Sequence, residues 1–303
     1  MRIVLAVLLA LGLTAGCGRV AATERDPSVV TAFYPLEFLS SRLAGDTMTV
    51  TNLTKPGAEP HDLELTAEQM GRISNATLVV HLAGFQPAVD EAVAQEAADR
   101  AFDVGSVVEL LPAEADHDHG EEAPGEHADA AGSRDPHVWL DPVRFAEITD
   151  ALGERLATVN PAHAADYRER AAGLHRDLDA LNAEYAAGLR NCARREIVTS
   201  HTAFHYLADR YDLTEIGISG ISPEAEPAPG RLAEVAHEAR ETGATTIFFE
   251  TLVSPQVADT IAREVGATTA VLDPIEGLTQ PGADYLTVMR GNLAALRQAL
   301  GCT

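Results

Sequence analysis

Residues 161–189 read PAHAADYRERAAGLHRDLDALNAEYAAGL. Tyr167, Ala171, Leu174, Leu178, Leu181 and Tyr185 recur three and four positions apart, the spacing that lines apolar side chains along one face of a helix. Gly173 and Gly188 are the only glycines in the stretch. At ~1.5 Å per residue the stretch predicts one helix about 40 Å long, enough to run the height of a sheet on either side of it.

On both sides of this rod, short β-branched runs alternate with helical patterns. Before it, strands are expected at 29–33, 48–53 and 77–82, and helices at 36–44, 66–75 and 87–98. After it, strands at 196–200, 213–218, 245–249 and 268–272 alternate with helices at 203–211, 231–242, 255–265 and 283–300. Strict alternation of strand and helix builds parallel sheets covered on both faces. The expected fold is therefore α/β: two (β/α) domains, 28–160 and 191–303, joined by one long rigid helix at 161–190.

The 303 residues carry 46 acidic and 22 basic side chains, a formal net charge of −24. Nucleic-acid binders show the opposite balance, so polyanionic partners are excluded and cationic ones favoured. Aromatic residues make up 5% of the chain, too few for a base- or sugar-stacking platform.

The N-terminus reads MRIVLAVLLALGLTAGC: one Arg, a short apolar run, then small residues before Cys17. A run this short is a secretory signal and not a membrane span. Thr14-Ala15-Gly16-Cys17 resembles a bacterial lipobox, which implies a signal peptide at 1–17, lipidation of Cys17 and a tether at 18–27. The expected location is the outer face of the cytoplasmic membrane. In that oxidising setting the two remaining cysteines, Cys192 and Cys302, are expected to pair.

Residues 113–134, AEADHDHGEEAPGEHADAAGSR, interrupt the α/β alternation with His117, His119, His127 and seven carboxylates. No packed core can form from that composition; it is expected to be an acidic, histidine-rich surface loop.

Four segments carry ligand-type side chains where predicted strands end or loops begin: Gly57-Ala58-Glu59-Pro60-His61-Asp62, Asp135-Pro136-His137-Val138-Trp139-Leu140-Asp141-Pro142, Val198-Thr199-Ser200-His201 and Val271-Leu272-Asp273-Pro274. In open parallel sheets, ligands bind beyond the carboxyl ends of the strands. Two segments lie on each side of the long helix, so a shared site falls in the inter-domain cleft. Three imidazoles and one carboxylate suit Zn(II), whereas harder Mn(II) is better served by more oxygen.

These four segments in this order, with a His-rich acidic insert before the second and a long helix between the halves, resemble the metal-binding solute-binding lipoproteins of bacterial ABC importers for zinc and manganese. The resemblance runs from about residue 28 to residue 300. It implies a metal site of His61, His137, His201 and Asp273, with the His-rich loop as an auxiliary metal donor and an ABC permease as partner. Histidine at position 201, where manganese members tend to carry Glu, tilts the metal to zinc. Glu59 and Asp62 beside His61, and Glu250 closing the apolar run Ile247-Phe248-Phe249, are candidates for the layer behind the ligands; Glu59 or a water remains an alternative to Asp273 as fourth ligand. The implied protein is a monomeric carrier of Zn(II) without enzymatic activity. The alternatives are a manganese or iron carrier of the same type, a surface adhesin and a secreted zinc hydrolase. The chain contains no HExxH, GxSxG or Gly-rich phosphate loop to support the last.

Overall fold

The computed structural model describes residues 26–113, 134–280 and 282–303. The signal and lipobox residues through Cys17, the tether to residue 25, and His117, His119 and His127 lie outside the described residues.

In the first half, β1 (Ser28–Thr31), β2 (Thr49–Asn52), β3 (Leu78–His81) and β4 (Ala101–Asp103) form one parallel sheet in the order β2-β1-β3-β4. The register pairs Val29 with Val50 and Val30 with Val79. Three helices cross over between these strands: α1 (Tyr34–Ala44), α2 (Ala67–Asn75) and α3 (Pro87–Glu96). Local chemistry sets their starts. Pro35 and Pro87 occupy first-turn positions that need no N–H, and Thr66 with Gln69 closes a capping box at α2.

Two helices then pack as an antiparallel pair, α4 (Pro142–Val159) and α5 (Ala164–Gly188), the latter preceded by a 3-10 turn at Pro161–His163. The expected long helix is therefore α5, three residues shorter at its start than the 161–189 stretch. Its buried face is Tyr167, Ala171, Leu174, Leu178, Leu181 and Tyr185. The α4 helix, to which the sequence reading assigned nothing, doubles the rod. At their crossing Gly153 faces Ala171, and a Cβ at 153 would come within 2.7 Å of the Ala171 Cβ. Only glycine permits that approach.

The second half repeats the first. β5 (Glu196–His201), β6 (Thr214–Ser219), β7 (Thr246–Phe249) and β8 (Thr268–Val271) form a parallel sheet ordered β6-β5-β7-β8. With it go α6 (His205–Tyr211), α7 (Pro229–Glu241), α8 (Gln256–Val265) and α9 (Tyr285–Leu300). Strand side chains alternate between two cores. Ile197 and Phe248 face a large core shared with the first half, α4, α5 and α9; Val198, Ile216 and Ile247 face a smaller one under α7 and α8.

The α5 rod is fastened to both halves. Arg170 donates to the Leu43 and Ala44 carbonyls at the end of α1, at 3.0 and 2.9 Å. Near its other end the Tyr185 hydroxyl donates to the Met289 carbonyl of α9 at 2.6 Å. Cys192 and Cys302 form a disulfide across 110 residues, tying the chain end to the entry of β5.

Candidate metal site

Each sheet places its chemistry beyond the carboxyl ends of its strands. After β2 the chain runs through Leu53 and Thr54 into the loop carrying His61. Gln86, at the start of α3, holds this loop by donating to the Pro60 carbonyl at 2.9 Å, and the Phe85 ring packs edge-on against the His61 ring at 4.6 Å between centroids. His137 precedes a 3-10 turn at Val138–Leu140, and His201 is the last residue of β5. Glu276 lies beyond β8.

These four side chains converge. Each offers an atom within 4.8 Å of the others, and all four residues are buried. One Glu276 oxygen, Oε1, sits 3.2 Å from His61 Nε2, 3.1 Å from His137 Nε2 and 3.4 Å from His201 Nε2. The ring centroids of His61, His137 and His201 are 5.3 to 6.0 Å apart. His61 and His137 come from the first half, His201 and Glu276 from the second.

Among the described residues, the sequence-expected set is thus brought together in three of its four members, with Glu276 where Asp273 was expected. The reason lies in the turn between them. Asp273 Oδ1 accepts the Ile275 N–H at 2.7 Å, and Oδ2 accepts from the Thr251 hydroxyl after β7 at 2.9 Å, so both Asp273 oxygens are engaged within the second half. Ile275 has φ of 62°, a left-handed conformation that costs a β-branched residue about 1–3 kcal/mol. The turn is held by the Asp273 bond and by the Trp139 indole, which donates to the Pro274 carbonyl at 2.7 Å. It swings the next side chain, Glu276, into the cluster. The segment LDPIEGL contained this residue, but a strand-end rule selects Asp273, and nothing local announces a left-handed isoleucine.

The other candidates take different places. Glu59 Oε1 accepts the His61 backbone N–H at 2.9 Å and lies 3.9 Å from His61 Nε2, beside the cluster but outside it. Asp62 is exposed. Glu250, 1% exposed, accepts from His201 Nδ1 at 2.8 Å and from the Ser200 hydroxyl at 2.7 Å. Asp135, which the sequence reading did not single out, holds His137 in the same way, with Oδ1 at 2.8 Å from Nδ1 and 2.9 Å from the backbone N–H. A carboxylate two residues before a histidine was its available signal.

Burial would raise the Glu276 carboxyl, yet the three histidine rings hold it well below the usual carboxylate range. Burial would lower His137, but Asp135 and Glu276 outweigh it and push the ring up to about 9. Glu59 is pushed up to about 8 by burial and by the Glu276 charge. The cluster also leaves buried polar atoms without hydrogen-bond partners: His201 Nε2 and Glu276 Oε2. Buried polar atoms are nearly always satisfied, so two orphans on clustered ligand-type residues fit a cation that would take their lone pairs. The N₃O donor set is that of a tetrahedral Zn(II) site.

A fold with two parallel sheets meeting at a buried cluster of three imidazoles and one carboxylate defines the class: a two-domain α/β protein with a metal-type site between its halves. Residues 29–299 match the family described as zinc-uptake complex component A, periplasmic (ZnuA), and the chain belongs to that family. It is 35% identical to the zinc-binding lipoprotein AdcA of Streptococcus pneumoniae over 98% of this chain, and it spans 60% of that relative's length. It is 32% identical to the high-affinity zinc uptake system protein ZnuA of Bacillus subtilis, over 95% of this chain and 94% of that protein. The crystal structure of the Zn(II)-bound ZnuA-like domain of S. pneumoniae AdcA superposes with a TM-score of 0.76 at 32% identity, over 91% of this chain and 99% of that one.

Proposed function

We propose that this protein is the extracytoplasmic Zn(II) receptor of an ABC importer, lipid-anchored through Cys17, that captures the ion between its halves and delivers it to a membrane permease. The observation that carries the reading is the convergence of His61, His137, His201 and Glu276 on one buried point, with Glu276 Oε1 within 3.4 Å of all three rings. Neutral imidazoles and an ionised Glu276 supply the four ligands. The names of the similar proteins, zinc-binding lipoprotein and zinc uptake protein, support the same cargo. A single carboxylate among the ligands favours Zn(II) over Mn(II) or Fe(II). No helix among the described residues is long and apolar enough to cross a membrane. His61 and His137 from the first half and His201 and Glu276 from the second support a cargo held between the two halves.

Residues 113–134 offer His117, His119 and His127 as weaker, auxiliary Zn(II) donors. Calorimetric titration of the mature chain with Zn(II) tests the proposal. The parent should show one tight site plus weaker ones, and a chain lacking residues 114–131 should keep the tight site alone. Glu276→Gln should weaken the tight site by at least about a hundredfold, roughly 2.7 kcal/mol, and Asp273→Asn by much less. Loss of the tight site on deleting the loop, or equal effects at 273 and 276, would contradict the ligand assignment.

A further inference from the structure

Two of the three clustered histidines share a feature that the third lacks. His137 turns Nε2 toward Glu276 and Nδ1 toward Asp135, at 2.8 Å; His201 turns Nε2 toward Glu276 and Nδ1 toward Glu250, also at 2.8 Å. Both carboxylates are buried, Asp135 at 0% and Glu250 at 1% exposure. Neither reaches the point where the four cluster atoms meet. Each half of the chain contributes one such pair. For His61 the positioning comes instead from its loop, through Gln86 and the Phe85 ring.

Both carboxylates are themselves held. The Asp135 backbone N–H donates to the Leu111 carbonyl at 2.9 Å, and its carbonyl accepts from the Tyr206 hydroxyl at 2.8 Å. The same hydroxyl accepts the Leu111 N–H at 2.8 Å. Tyr206 belongs to α6 of the second half, so one buried phenol fixes Asp135 from across the cleft. Glu250 is held by Ser200, the residue before His201, through the hydroxyl bond at 2.7 Å.

We propose that Asp135 and Glu250 are positioning residues for metal binding: each fixes the tautomer and ring orientation of its histidine so that Nε2 presents a lone pair to the ion. The inference rests on the Zn(II) reading above. A carboxylate on the far ring nitrogen orients the ligand and makes it more basic, and losing such a partner costs about ten- to a hundredfold in metal affinity. Asp135 carries the larger effect, because its Oδ1 holds both the His137 ring and the His137 backbone.

The test compares the full mature chain with Asp135→Ala, Asp135→Asn, Glu250→Gln and Tyr206→Phe, by competition for Zn(II) against a chromophoric chelator and by the visible absorption of the Co(II)-loaded proteins. Circular dichroism and melting of the metal-free proteins identify any variant that fails to fold. Asp135→Asn and Tyr206→Phe keep the shape of the side chain and stand in if Asp135→Ala does not fold. The expected result is a Kd raised about ten- to a hundredfold in Asp135→Ala and by less in Asp135→Asn, Glu250→Gln and Tyr206→Phe, with the Co(II) bands shifted in each folded variant. A purely structural role would lower the melting temperature and leave the Co(II) bands in place. Affinities within twofold of the parent, or unshifted bands, would overturn the inference while leaving the Zn(II) reading intact. A parent that binds no Zn(II) would overturn both.

Discussion

His137 concentrates the electrostatics of the site. With its ring pushed up to about 9, it is protonated at neutral pH in the metal-free protein and paired to Asp135 and Glu276. A histidine raised in this way stabilises the fold fully below its unfolded value of roughly 6.5, and that contribution is lost as pH rises through about 9. Glu215, buried on β6 and pushed up to about 7 by that burial, acts in the same direction. Its charged form is disfavoured in the fold, so stability falls as pH climbs from roughly 4.5 through about 7. Bound zinc would remove this dependence, because it takes the unprotonated ring and competes with protons. Melting temperatures with a chelator should therefore fall between pH 6.5 and 9, and the gap to the zinc-loaded protein should widen over that range. A gap that narrows with pH would contradict this reading. His61, His137 and His201 were legible in the sequence because each sits in a short motif at a loop or strand end. Glu276 was not, because its direction depends on a left-handed Ile275 in a turn whose Pro274 carbonyl is held by a tryptophan 135 residues away in sequence.

At the scale of elements, α5 of the paired rod α4–α5 is fastened to α1 in one half and to α9 in the other. The α5 face was readable from its three- and four-residue spacing. The α4 helix carried equivalent signals: Asp141 capping Val143 at 2.9 Å, Pro142 in the first turn, and Phe145, Ile148, Leu152 and Leu156 along one face. The expected alternation of strands and helices assigns no element between 134 and 161, and α4 falls there. The strand β4 was missed for a simpler reason: three residues give no periodicity to read. Close helix approach at Gly153 gives the pairing a testable point. Gly153→Ala should destabilise the fold by about 1–3 kcal/mol through overpacking against Ala171, despite alanine's better helix propensity. Chemical denaturation measures it, and a neutral or stabilising outcome would mean that the helices are free to part.

For the whole molecule, the two sheets, the rod and α9 share one large core, and the segment from Asp135 to Asp141 is bonded to the second half along its length. Tyr206 reaches the Asp135 carbonyl, Tyr285 donates to the Trp139 carbonyl at 2.6 Å, and Arg210 reaches the buried Asp141 carboxylate at 2.7 Å. These bonds would have to break in a wide swing of one half against the other. A formal net charge of −24 favours solubility on general grounds. Part of the charge is buried: Glu276, Asp135 and Glu250 lie around three histidines, where the proposal puts the divalent cation. The most direct measurement is a zinc-edge anomalous difference map from crystals of the zinc-loaded protein. One peak should lie about 2.0–2.2 Å from His61, His137 and His201 Nε2 and a Glu276 oxygen. A main peak bonded to Asp273, or lying away from any of the three histidines, would contradict the account.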